Sequence, residues 1–533
     1  MVKPKPETRG GAIIDPETGL NKSEARRVRQ LRSRHWRLNH LYWILNKQGE
    51  TVRFKMRPVQ EKLYRMMWWL NVIPKSRRHG ITTFICLFML DAALFNSNTR
   101  AAIIAHRLDS AKKFLREIIL FAYDRLPEDL KALRPLSTRG TEEIVIDHGN
   151  FKKSSIYVAT SVRGGTHEIL HVSEYGPLCA RMPVKAKEVK TGAIPTVEKG
   201  GFVFVESTAE GPYGDFYEMC QEAMANMGKK EMTRLDWRCH FFGWMDNPDN
   251  VIDGAVDIPK EINEYLDKIE TIYDRRLTIN QRAWYALTKM RFKHDMYKEH
   301  PSTIEECFMA AVEGAYFPTE ISQMREEGRI CNVGHTSGEL VHTVCDLGVG
   351  SHMPWLFFQI VGRDIRIINA FNLPDKDDAI GGAVAYRGML DEYRRRYHYQ
   401  YGKHFSPHDA NKREIGSGQT IFKTFANAGI HFTKLPREKD VHDGIERMRQ
   451  MLDHVWMDAE KCARVVTAWL AYHREWNESL NCYIEKPRNN DASHYADAGR
   501  YLSYVVAKKL CATRSIMSAA KARLLSRKYR RVG

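Results

Sequence analysis

The chain has 533 residues, too many for one hydrophobic core, and its 43% apolar content supports two or more folded domains. Lys plus Arg number 82 against 65 for Asp plus Glu, a formal net charge of +17, which favours a polyanionic partner such as nucleic acid over an acidic small molecule. The ten cysteines include no C-x-x-C pair, which argues against a zinc knuckle or disulfide framework and leaves oxygen to hold any metal, and no apolar run is long enough to span a membrane.

At the N-terminus MVKPKPETRGG lacks the apolar core of a secretory signal, so a cytoplasmic protein is expected. Residues 22–37 are dense in arginine and compatible with helix, either a solvated helix or a phosphate-contacting arm, and residues 1–49 are set apart as a basic helical arm. From 50 to 235, TRAAIIAH, SSIYVAT, EILHVSEY and GGFVFVES read as buried strands alternating with amphipathic helices, the pattern of a parallel α/β sheet. Residues 236–335 carry few strand-like runs, and LTINQRAWYALTKMRFKHDMY has helical periodicity, so a linking helical subdomain is expected there. A second strand-rich block, 336–510, opens with VHTVCDLGVG, WLFFQIVG and DIRIINAFN, spaced to pair as an antiparallel meander. The tail 511–533 is basic and has no acidic residue.

The stretch VIPKSRRHGITT has the outline of a phosphate-binding loop. The standard form, G-x-x-x-x-G-K-S/T, uses glycines for the turn, backbone N–H groups to cradle phosphate, a lysine for the outer phosphates and a hydroxyl for Mg²⁺. Gly80, Thr82 and Thr83 keep the last glycine and the hydroxyls, but Ile81 stands at the lysine position. Lys75, at the front of the loop, has a stem long enough to reach the same phosphates. The following TTFICLFMLDAALF reads as a helix whose N-terminus favours an anion. EILHVSEYG is a strand ending at Glu174, the place for a base that orients attacking water, while Ser173 stands where an aspartate usually helps hold Mg²⁺. GGFVFVESTAEG suits a γ-phosphate sensor, and Gln60 is a candidate to read an adenine edge. A functionless Lys-Ser-Arg-Arg turn and a surface glutamine are the competing readings.

A second set of acids sits at element ends in the C-terminal block. Asp346 closes VHTVCD, Asp409 closes the short strand in HFSPHDA, and Asp497 lies on a helix beside the apolar stripe of Ala496, Tyr501, Leu502 and Val505. Each alone is readily explained as a cap or salt bridge. Together, within a β-β-β-α-β-α pattern, they suit a ribonuclease H-like nuclease that uses two metal ions about 4 Å apart. Asp491 and His494 are auxiliary ligands or helix caps, with capping preferred. Lys412 and Arg413 are candidate DNA-phosphate contacts.

These motifs resemble the large terminase subunit of tailed bacteriophages, the DNA-packaging motor. Lys75-Ser-Arg-Arg-His-Gly-Ile-Thr-Thr is similar to its displaced-lysine loop, His171-Val-Ser-Glu-Tyr-Gly to its acidic strand end, and Glu206-Ser-Thr-Ala-Glu-Gly to its coupling motif. DLG, PHDA and SHYADAGRY are similar to the three acidic motifs of its nuclease, so the likeness covers roughly residues 50–510. The resemblance implies an α/β protein: a P-loop ATPase of the ASCE type with a parallel sheet, then a ribonuclease H-like nuclease. It implies ATP with Mg²⁺ at the first site and two Mg²⁺ or Mn²⁺ ions at the second. It places Arg77 as the loop arginine, and Arg163 in SVRGGT as a finger reaching a neighbouring subunit's γ-phosphate, with a strand-end salt bridge as the alternative. Implied partners are double-stranded DNA, a small terminase subunit and the procapsid portal, with a homo-oligomeric ring, a pentamer, assembled in the host cell cytoplasm. Ser351 and Asn369 depart from the pattern, standing where relatives often carry further acids. A DNA-stimulated helicase or translocase without nuclease activity is the main alternative, and a basic structural DNA-binding protein is the second.

Overall fold

The structure is a computed structural model, and it describes residues 8–9, 12–13, 21–105, 107–160, 164–254, 256–308, 314–346, 353–372, 382–408, 420–477, 480 and 482–511. The chain divides into two compact units, Met1–Ala310 and Ala311–Gly533.

Among the described residues, the first unit is built on an eight-stranded sheet. Its strands are β1 (Leu70–Pro74), β2 (Arg100–Ala105), β3 (Leu136–Arg139), β4 (Glu143–Asp147), β5 (Lys153–Ala159), β6 (His167–Ser173), β7 (Val197–Ser207) and β8 (Trp237–Cys239). Their order across the sheet is β8-β1-β7-β6-β2-β5-β4-β3. The first six in that order run parallel, and β4 and β3 close one edge as an antiparallel hairpin. The apolar runs read as strands are these strands. β5, antiparallel to β4, alternates buried with part-exposed residues, whereas β2, with parallel neighbours on both sides, is buried along nearly its whole length because a parallel sheet is covered on both faces. Ala101 to Ala105, for instance, are at most 1% exposed.

The arginine-rich segment, expected as a solvated helix or a phosphate-contacting arm, is two helices. Ser33 divides it into α1 (Lys22–Arg32) and α2 (Arg34–His40), its hydroxyl capping the second helix by accepting from the Trp36 N–H at 3.2 Å. Arg37 then leaves solvent altogether. It donates from Nε and a terminal nitrogen to the two oxygens of Asp91, at 2.8 and 2.7 Å, and lies 3.9 Å from the Phe95 ring centre. After α3 (Pro58–Met66) comes the helix that carries Asp91, α4 (Ile81–Phe95), which is apolar nearly all round and is the central core helix of the unit.

The segment 236–335, set down above as one linking subdomain, divides otherwise. Trp237–Cys239 is a strand of the first sheet, and the boundary between the units falls at Ala310 and Ala311. Helices Lys260–Tyr273 and Ile279–Phe292 do form, around a small core of Trp244, Leu266, Ile269, Leu277, Tyr285 and Met296 within the first unit.

The second unit holds a seven-stranded sheet among its described residues. The strands are β9 (Ile330–Cys331), β10 (Val341–Cys345), β11 (Trp355–Val361), β12 (Asp364–Phe371), β13 (Tyr401–Ser406), β14 (Phe432–Lys434) and β15 (Val455–Asp458), in the order β9-β15-β12-β11-β10-β13-β14. β10, β11 and β12 are the antiparallel meander expected from their spacing, and β13 and β14 add in parallel beside β10. The helix Gly382–Tyr397 precedes β13 and the helix Ile421–Asn427 precedes β14, the arrangement of a ribonuclease H-like domain. The long helix Asp491–Ala507, labelled α5, follows near the end.

Candidate functional site

The first site forms where β1, β7 and β6 end. Register pairs Ser207 with Pro74 and Ser173 with Glu206, so the residues that follow these strands meet at the carboxyl end of the sheet. This is the carboxyl-end crevice where open α/β sheets bind ligands. Lys75 to Gly80 connect β1 to α4. Gly80 adopts φ +71°, a conformation that favours glycine, and a Cβ there would meet Gln60 Nε2 at 2.7 Å, so any side chain would be strained and would displace the Gln60 amide. Having no side chain, Gly80 leaves the first N–H groups of α4 uncapped and available to an anion.

Two neighbours fix the loop in place. The Ser76 N–H donates to the Phe242 carbonyl at 2.9 Å and the Arg77 N–H to the Glu299 carbonyl at 3.0 Å. Gln60, buried, spends its amide on the loop: Nε2 donates to the Gly80 carbonyl at 2.7 Å, and Oε1 accepts from the Arg57 N–H at 2.9 Å. In this structure Gln60 braces the loop instead of presenting an edge to a base. Arg77 is ion-paired with Glu299. Thr83 lies in the first turn of α4, half-buried.

Lys75 is nearly out of water, 8% exposed, and faces two carboxylates. Its Nζ is 3.0 Å from Glu206 Oε2 and 3.8 Å from Glu174 Oε1. The second oxygen of Glu206, Oε1, accepts from Thr82 Oγ1 at 2.7 Å and from Ser173 Oγ at 2.8 Å, with His171 Nε2 at 3.4 Å. Burial pushes Glu206 upward, but Lys75, His171 and Thr82 overcome it and hold the carboxyl well below the ordinary glutamate range. Glu174 goes the other way: burial raises it, more than Lys75 lowers it. Lys75 is itself raised, since its two carboxylates outweigh burial. Environment has thus pushed two neighbouring glutamates apart, a pattern associated with acid–base sites. Glu174 also sits in the left-handed region at φ 56° and ψ 49°, an uncommon conformation for a residue with a side chain.

Glu206 is the site residue that the sequence reading missed, quoting it only as part of the coupling motif. The available signal was a lone acid ending the apolar run FVFV, the same signal that picked out Glu174.

In the second unit the structure brings two of the three predicted acids together. Asp346 follows β10, and its Oδ2 lies 2.8 Å from His494 Nδ1 on α5. His494 is therefore not a helix cap: Asn490 caps α5, accepting from the Ser493 N–H at 3.2 Å. The Asp346 partner raises His494. One turn on, Asp497 Oδ1 accepts from Arg500 at 2.6 Å. Burial raises Asp497; Arg500 opposes that rise and the charge of Asp346 adds to it. Asn369 is buried in β12, its Oδ1 accepting from the Ala370 N–H at 2.9 Å. Arg163, Ser351, Asp409, Lys412 and Arg413 lie outside the described residues. Among the described residues no three His, Cys, Asp or Glu side chains form a ready-made metal cage, and no helix is long and apolar enough to cross a membrane.

No family model and no curated protein matches the chain. Solved structures that resemble it include large terminases of several phages. That of bacteriophage HK97 is 11% identical, with 84% of this chain and 95% of that chain covered and a TM-score of 0.39. That of a thermophilic bacteriophage in complex with ADP is 14% identical over 84% of this chain and 98% of that one, at 0.30. The nuclease domain of the phage P22 large terminase is 17% identical over 34% of this chain and 89% of its own length, at 0.25. At these scores the likeness carries no weight by itself; the chemistry rests on the side chains just described.

Those side chains fit the groups that such sites use. Hydroxyl and carboxylate oxygens converge at Thr82 and Glu206, the hard donors that Mg²⁺ takes. Asp346 and Asp497 offer carboxylate oxygens, the donors that suit Mg²⁺ or Mn²⁺, with His494 held against Asp346 and one oxygen of Asp497 already taken by Arg500.

Proposed function

We propose that the chain is a large terminase subunit, hydrolysing ATP to drive double-stranded DNA into a procapsid and cutting concatemeric DNA with a metal-dependent endonuclease. The observation that carries this reading is Lys75, held at the carboxyl end of the sheet between Glu206 and Glu174 at the foot of an uncapped helix. An ammonium group poised between carboxylates is ready to exchange one of them for a phosphate, and the α4 N-terminus offers that phosphate unpaired N–H groups.

Thr82 would supply the loop hydroxyl to a Mg²⁺ ion, which when bound would neutralise phosphate charge. Glu174, raised and placed on a strained strand end, orients water and takes its proton. Arg163 is the candidate to stabilise the transition state from a neighbouring subunit in a ring. Ser207 Oγ accepts from the Gly176 N–H at 3.0 Å, linking the end of β7 to the helix after Glu174 and giving the 207–209 motif a path from hydrolysis to movement. Asp346, Asp409 and Asp497 hold the metals of the nuclease, and His494 orients Asp346. The partners are double-stranded DNA, a small terminase subunit and the procapsid portal, in the host cytoplasm.

The test pairs two assays on the purified chain. ATP hydrolysis should disappear in Lys75→Ala, and cutting of supercoiled plasmid in Mg²⁺ or Mn²⁺ should disappear in Asp409→Ala, each without loss of the other activity. The Arg500–Asp497 contact favours a second reading, an ATP-driven translocase whose second unit binds DNA without cutting it. Hydrolysis with an intact plasmid under both metals would select it.

A further inference from the structure

A P-loop site holds its Mg²⁺ with the loop hydroxyl and a carboxylate from the acidic strand. In this chain the acidic strand, β6, presents Ser173 at that place, and a serine has no charge to give. Yet a carboxylate does stand beside the loop hydroxyl. Glu206, on the adjacent strand β7 and in register with Ser173, accepts from Thr82 Oγ1 at 2.7 Å and from Ser173 Oγ at 2.8 Å on the same oxygen. The short serine leaves room for the longer glutamate to reach across from the next strand. We propose that Glu206 supplies the metal-orienting carboxylate that Ser173 lacks, a proposal that rests on the first site binding a nucleotide with Mg²⁺.

A second observation leads to the same residue. Glu206 is 0% exposed, and a buried carboxylate is tolerated only beside a cation. Lys75 provides that cation at 3.0 Å. If Lys75 turns to a phosphate when nucleotide binds, Glu206 needs a replacement, and the divalent ion arriving with the nucleotide is the natural one. The two glutamates then divide the work. Glu206 is enclosed by hydroxyls, histidine and lysine, while the Glu174 side chain is 33% exposed and can meet solvent water. Ser173 becomes a positioning residue that fixes the Glu206 carboxylate.

The measurement is the affinity for ATPγS in Mg²⁺ and in EDTA, for the intact chain and three variants. For the wild type, Mg²⁺ should tighten binding. Glu206→Gln should lose about 10- to 100-fold of that Mg²⁺ dependence, while its affinity in EDTA stays level or improves because Lys75 is released. Ser173→Asp added to Glu206→Gln should restore the dependence by returning a carboxylate to the usual strand. Retention of the wild-type Mg²⁺ ratio in Glu206→Gln, or a double variant no better than the single one, overturns the proposal. If Glu206→Gln fails to fold by thermal melting, Glu206→Asp decides: it keeps the charge but withdraws it by one methylene, and an unchanged Mg²⁺ ratio counts against the assignment. Absence of any binding by the wild type in either condition defeats the nucleotide reading itself, a distinct result.

Discussion

Lys75 Nζ and Glu206 Oε2 are 3.0 Å apart, and both side chains are out of water. Neither charge is tolerable there alone. Removing one partner of a buried pair typically costs about 3–5 kcal/mol, whereas replacing both with apolar groups is often neutral. Lys75→Met should therefore lower the melting temperature, and Lys75→Met with Glu206→Met should recover much of the loss while binding no nucleotide. Equal melting temperatures for single and double variants would show that the pair is not what the lysine is needed for structurally.

The same contact gives a pH dependence. Burial opposes ionisation of Glu206, but Lys75, His171 and Thr82 keep it below the ordinary glutamate value. The unfolded chain therefore takes up this proton at a higher pH than the folded chain does. The contribution to stability is complete above the ordinary glutamate value and declines as pH falls below it towards the folded one. Denaturant titrations across the acid range should show a shallower decline in Lys75→Met than in the wild type.

Glu174 should govern the acid limb of ATP turnover. Burial raises it, so the limb should lie above the ordinary glutamate value. Glu174→Gln should reduce kcat by about 10²- to 10⁴-fold, the usual worth of general base catalysis, with ATPγS affinity little changed. A parallel loss of affinity would place Glu174 in nucleotide binding instead.

Much of this arrangement could be read along the chain, and what could not is explained by distance. The loop, the strand before Glu174 and the meander at 341–371 are local patterns of apolar runs broken by glycine and charge. Glu206 ends an apolar run as Glu174 does, but the run does not say what the acid faces: that comes from β7 lying between β1 and β6, which sets Glu206 beside Lys75 and Ser173. His494 was taken for a cap because its partner Asp346 is 148 residues away. Arg37 looked solvated among its arginines, yet Asp91, the single acid in the otherwise apolar TTFICLFMLDAALF, was a legible sign that a buried cation must approach that helix.

That pair makes a prediction of its own. Asp91 accepts from Arg37 through both oxygens and from the Tyr42 hydroxyl at 2.8 Å, with Arg34 Nε at 3.2 Å. Arg37→Ala leaves the carboxylate fully buried with one weaker, half-exposed cation, and should cost about 3 kcal/mol or more. Arg26→Ala, an exposed arginine of α1, should be within about 0.5 kcal/mol of wild type. If the two variants melt alike, the arginine-rich segment acts as a solvated arm after all.

Gly80 carries the most specific backbone prediction. Two separate terms oppose any side chain there: the left-handed φ of +71°, which costs an L-residue about 1–2 kcal/mol, and a Cβ placed 2.7 Å from Gln60 Nε2. Gly80→Ala should be destabilised and should bind ATPγS weakly, because relief of either strain shifts the first turn of α4 and the N–H groups it presents. Shortening Gln60 separates the two terms. Gln60→Ala removes the clash but also the brace, the 2.7 Å bond from Nε2 to the Gly80 carbonyl. Gly80→Ala with Gln60→Ala should therefore melt closer to Gln60→Ala than additivity predicts, yet still bind nucleotide poorly. Full recovery of affinity in the double variant would mean that the clash alone mattered and that the left-handed turn is not needed to aim the helix at phosphate.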